Sequence, residues 1–140
     1  MVIMGKEPQT KRTDKSMAGI FWDRAQQCAH AMNEALQEGH WEAAGINAVH
    51  CAISANDALL IALRGIRPAS QDHKDAVRVL QSRFKEEDAQ KAAKRLGTVI
   101  AKKSRVEYEE KRMTEREARE IVLDAQRFMD WAKTRLPKRL

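Results

Sequence analysis

The sequence predicts an all-α protein, an up-and-down bundle of about five helices. Three observations carry that prediction. The stretch from Trp41 to Gly65, WEAAGINAVHCAISANDALLIALRG, runs for about twenty-five residues without a proline, roughly twice the mean helix of about 11–12. Four further segments repeat their apolar residues at spacings of three and four. No segment alternates apolar and polar residues, and no Asn-Gly turn occurs.

On a helix, Ala44, Ala48, Cys51, Ala55, Leu59 and Ala62 of the long stretch form one small-residue face. Ile46, Val49, Ile53 and Leu60 form a bulkier apolar face beside it, which leaves a narrow polar stripe of Asn47, His50, Ser54 and Asp57. A helix apolar around most of its girth belongs at the centre of a bundle. Gly45 and the pair Asn56-Asp57 interrupt its run of helix formers.

Residues 1–14 carry Pro8 and mixed charge without apolar period, the composition of a disordered arm, and residues 15–140 form the single helical domain. The first helix is expected over residues 15–38, with Phe21, Ala25, Cys28, Met32 and Ala35 as its inner stripe and Gly39 at its C-terminal stop. The short connection makes it an antiparallel neighbour of the central helix. Gly65 and Pro68 end that helix. Ser70 is the expected N-cap of a third helix, with Asp72 in its first turn and Ala76, Val77, Leu80 and Phe84 on its apolar side. A fourth helix over residues 87–108 turns Ala89, Ala92, Leu96, Val99 and Ile100 inward. Thr114 and Glu117 have the spacing of a capping box for a fifth helix, whose stripe is Ala118, Ile121, Val122, Ala125, Phe128, Met129 and Ala132 before Leu136-Pro137.

A chain of 140 residues suits one domain. No charge-free run of about 18 apolar residues is present, which argues against a membrane span, and the N-terminus is too polar for a secretory signal. Cys28 and Cys51 fall on small apolar faces and read as buried thiols of a reducing, cytoplasmic protein. The four histidines and two cysteines have no paired ligand spacing, so neither a metal nor another cofactor is expected. The net charge of +6 permits an acidic partner without requiring one.

The fourth helix holds the most distinctive charge pattern. Between residues 90 and 106 stand six basic residues and no acid, and Lys91, Lys94, Arg95, Lys102 and Arg105 share roughly a 100° arc with Thr98 between them. Such a row is on the order of 20 Å long and reaches several phosphates. A solvated face kept soluble by lysines gives the same pattern, although missing i,i+4 acid partners would leave like charges to repel. Tyr108 is the one aromatic beside the row. The stripe Asn47, His50, Ser54 and Asp57 lines a cleft, forms the solvent edge of a buried helix, or lies in a dimer interface. His50 and Asp57 stand two turns apart and make no dyad on their own. His73, between Asp72 and Lys74-Asp75, reads as a local hydrogen-bonding residue. There is no GxSxG elbow and no Gly-rich phosphate loop.

The segment AAGINAVHCAISANDALLIALRG resembles the second helix of HEPN (higher eukaryotes and prokaryotes nucleotide-binding) domains. SQDHKDAVRVLQSRF is similar to that family's His-Lys entry into its third helix, and SRVEYEEKRMTEREAREIVLDAQRFMDWAKTRL to its C-terminal stretch. The likeness covers roughly residues 15–136. It implies a bundle that dimerises and contacts a nucleotide, a nucleic acid or a protein encoded nearby, as in toxin–antitoxin or nucleotidyltransferase-linked pairs. Many members are ribonucleases that place a His four to six residues after an Arg. Here Arg105 is followed by Tyr108, and no histidine occurs after His73. Tyrosine is a poor general base at neutral pH, so the sequence favours a non-catalytic binding module. The alternative is a metal-independent ribonuclease that recruits His50 to Arg105. Lys91, Lys94, Arg95, Lys102, Arg105 and Tyr108 are the expected nucleotide or nucleic-acid contacts.

Overall fold

The computed structural model describes residues 8–70 and 72–140, so residues 1–7 of the expected arm, and Gln71, lie outside the described residues. The chain is all-α apart from one small ribbon. Its elements are β1 (Thr10–Arg12), a 3-10 turn (Lys15–Met17), α1 (Ala18–Gln37), α2 (Trp41–Arg64), β2 (Ile66–Pro68), α3 (His73–Arg83), α4 (Glu87–Tyr108) and α5 (Glu115–Arg135).

Helix α2 is the axis. Helix α1 packs along it after the tight turn at Gly39, whose φ of 74° is the left-handed conformation that glycine adopts without strain. Helices α5 and α4 close the other sides, and short α3 leans on α4. The small-residue face is fully enclosed at Ala44, Ala48, Cys51, Ala55 and Leu59. By length and composition α2 could cross a membrane, with a mean hydropathy of 1.5, but here the other helices cover it as a core helix.

The two interruptions in α2 have different causes. A side chain at Gly45 would stand 2.6 Å from the sulfur of buried Met113, so the glycine lets the α4–α5 connection close onto α2. Glu42 fixes the same connection by accepting the Met113 backbone N–H at 2.6 Å. Asn56 is wholly buried, and neither atom of its amide has a partner among the described residues. An unmet buried amide costs on the order of 1–3 kcal/mol.

Three local expectations need correction. The arm does not stay free up to residue 14: β1 pairs antiparallel with β2 in the register Thr10↔Pro68, Lys11↔Arg67 and Arg12↔Ile66. The backbone of Thr13 also donates to the Gly65 carbonyl at 2.8 Å. Helix α3 is capped by Asp72, whose side chain accepts from the Lys74 N–H, while Ser70 accepts from Asp72 one step earlier. Cys28 is only partly buried, whereas Cys51 is enclosed and donates to the Met129 sulfur at 3.5 Å. Burial pushes the Cys51 thiol up to about 12, so it is an inert core residue. Helices α2, α4 and α5 match their expected spans, and the Thr114–Glu117 capping box is complete.

Candidate functional site

Two adjoining clefts open where α2 meets the start of α3 and the second half of α4. The first, about 220 Å³, has an apolar wall of Ile46, Val49 and Ile100. Its polar groups are His50 from α2, His73 from the first position of α3, and Lys103, Ser104 and Glu107 from α4. Lys103 lies three residues after Ile100 and three before Val106, on the inward stripe of its helix, and is only 7% exposed. Its ammonium forms an ion pair with Glu107 one turn further on. Two imidazoles, a hydroxyl and a buried ammonium thus face one small space.

The second cleft, about 160 Å³, shares His73 and is bounded by Lys11 on β1, Arg67 on β2, and Asp57, Ser70 and Asp72. Burial pushes the Asp57 carboxyl up to about 6, against the opposing pull of Arg67, Arg24 and Lys11. The Arg24 and Arg67 guanidiniums each lie 5.0 Å from the Phe21 ring centre, which holds them near this carboxyl.

The polar stripe of α2 therefore divides. His50 faces the first cleft and Asp57 the second. Ser54 is buried between them. Asn47 turns along its own helix and donates to the Ala43 carbonyl at 2.9 Å.

The basic row of α4 is not the uncompensated patch its sequence implied. Lys91 pairs with Glu87 at 3.6 Å, Lys102 with Glu120 and Asp124 of α5 at 2.9 and 3.6 Å, and Arg105 with Glu117 at 3.2 Å. The acids come mainly from the neighbouring helix, which a search for i,i+4 partners along α4 does not see. Lys94 and Arg95 carry no acid partner among the described residues. Tyr108 is 91% exposed at the end of α4.

His50 and Arg105 are not brought into one cleft. The α4 residues that meet His50 are Ile100, Lys103, Ser104 and Glu107, while Arg105 is held by Glu117 at the start of α5. The imidazole that does join His50 is His73. Of the new site residues, Lys103 alone has a sequence signal, a lysine on an otherwise apolar stripe. The placing of His73 depends on how α3 docks. Among the described residues, no group of three or more His, Cys, Asp or Glu side chains is placed to hold a metal ion.

A five-helix bundle around a mostly apolar second helix, with polar clefts beside it, is an all-α domain. The family model described as HEPN domain matches residues 18–136, and the chain belongs to that family. No curated protein and no solved structure matches it.

Proposed function

We propose that this HEPN domain is a non-catalytic binding module that takes a phosphate-bearing ligand, a nucleotide or a nucleic-acid segment, in the His50–His73–Lys103 cleft. The convergence of two imidazoles, the Ser104 hydroxyl and a nearly buried ammonium on about 220 Å³ carries the reading. Each group donates hydrogen bonds to an anion, and a phosphate takes the Lys103 ammonium by displacing the exposed Glu107 carboxylate that pairs with it. The apolar wall of Ile46, Val49 and Ile100 suits a base or ribose carbons beside the phosphate. Arg95, which has no acid partner among the described residues, is the cation of the outer row left to extend the contact along RNA. In this reading the domain is a cytoplasmic homodimer whose partner is encoded beside it, as for HEPN domains in toxin–antitoxin or nucleotidyltransferase-linked pairs.

The test is titration of ATP and a short single-stranded RNA at several salt concentrations, followed by fluorescence anisotropy. Binding weakens as salt rises, and Lys103→Met and His50→Ala each reduce affinity at least about tenfold. Lys103→Met leaves a long side chain in the buried position and changes stability by less than about 1.5 kcal/mol, so lost binding is not lost folding. Unchanged affinity in both folded variants refutes the site.

A second reading is favoured by the two imidazoles in one cleft. A pair of histidines handles both proton transfers of metal-independent RNA cleavage, one taking the proton of the ribose 2′-hydroxyl and the other supplying one to the leaving oxygen. Incubation with mixed RNA in EDTA separates the readings: intact RNA supports the binding module. Cleavage abolished by His50→Ala and by His73→Ala supports the nuclease.

A further inference from the structure

Beyond the cleft, and sharing only Ile100 with it, α3 and α4 enclose a second groove of about 290 Å³ whose floor is almost wholly apolar. Val77 of α3 and Gly97, Ile100 and Ala101 of α4 form that floor. A methyl group at Gly97 would meet the Val77 methyls at 3.8 Å, so the missing side chain sets the depth of the groove. The edges carry cations. Lys74 and Arg78 bound the α3 side. On α4, Lys94 lies three residues before Gly97 and Arg105 four after Ala101, which makes both neighbours on that face. On α4 the lining of the groove runs from Gly97 to Ala101, and the flanking row from Lys94 to Arg105 on that face spans about 16 Å, or three turns.

From this arrangement we infer that the α3–α4 groove is a docking site for an acidic amphipathic helix of a partner protein. Its apolar stripe lies on Val77, Gly97, Ile100 and Ala101, and its flanking carboxylates face Lys74 and Lys94. Charge decides the occupant. A second copy of this chain, apposed by a two-fold axis, would set these cationic edges against each other. Acids near the groove are already engaged, Asp75 by Arg78 at 3.6 Å and Glu107 by Lys103. Lys74 and Lys94 have no acid partner among the described residues, so they are open to an incoming one. Nucleic acid fits the edges but not the floor, which presents no aromatic ring for stacking and no hydrogen-bonding group for a base.

The test is a displayed library of peptides of about 16 residues, with a fixed i, i+3, i+4, i+7 leucine pattern and flanks randomised between Glu and Lys. Selection on the full-length protein enriches Glu on the flanks, and the enriched peptide binds Ala101→Glu and Lys74→Glu at least about tenfold more weakly. Ala101 is exposed and outside the nucleotide cleft, so Ala101→Glu keeps its fold and its ATP affinity. Failure here with ATP binding intact separates the two proposals. No enrichment, enrichment of Lys, or equal binding to the variants overturns the inference. It is also overturned if Ala101→Glu abolishes binding of single-stranded RNA, or turns a dimer into a monomer in analytical ultracentrifugation, since RNA or a second copy then fills the groove.

Discussion

Asp57 is a half-buried carboxyl on a mostly buried helix. Its carboxyl titrates near 6, against an ordinary value of 3.8, because burial outweighs the pull of Arg67, Arg24 and Lys11. An acid whose pKa rises on folding holds its proton more tightly in the native state. Its contribution favours the fold below pH 3.8 and is lost as the pH rises to about 6. Asp57→Asn should therefore stabilise the protein at pH 8 by about 1–3 kcal/mol and change little at pH 4. Urea unfolding at the two pH values measures this, and equal effects at both would contradict it. The sequence marked Asp57 as an interruption and His50 as polar on an apolar helix, and both were signals of position. It gave no sign that they face different clefts, because the dividing wall, His73, arrives from α3.

The ends of the helices were legible wherever a local rule governs them, as the stop at Gly65 and the Thr114–Glu117 box show. The ribbon was not: three-residue strands have no period to read, and Arg12 pairs with Ile66, far away in sequence. The ion pairs from α4 to α5 were hidden for the same reason, whereas Glu87–Lys91 and Lys103–Glu107 are i,i+4 pairs within reach of the sequence. The end of α4 carries a testable exception to the usual chemistry. Glu110 adopts φ 52°, with its N–H bonded to the Glu107 carbonyl at 3.2 Å and that of Lys111 to Val106 at 3.4 Å. This is a Schellman motif with glutamate where glycine is favoured. Glu110→Gly should raise stability by about 1 kcal/mol, seen as a later urea midpoint with an unchanged slope. Thr114→Ala, four residues on, should cost about 1 kcal/mol through loss of its bond to the Glu117 N–H.

Across the whole molecule, the fold depends on how close α1 and α5 come to α2. Each brings small residues to the interior, Ala25, Ala29 and Ala35 from α1 and Ala118, Ala125 and Ala132 from α5, alongside the alanine face of α2. Small facing residues let helix axes approach toward the short end of the usual 8–10 Å. Space at this seam, more than hydrophobicity, then limits what the core accepts. Leucine tests that directly, because it adds apolar area wherever there is room for it. At Ala55, which is fully enclosed, Ala55→Leu should cost about 1–3 kcal/mol, a large part of the roughly 5–15 kcal/mol that holds a domain together. At Ala62, two turns along α2 and only half-buried beside Phe21 and Ile61, the same change should cost less than about 0.5 kcal/mol. Equal losses at the two sites would mean that helix spacing in this bundle is not set by its alanines.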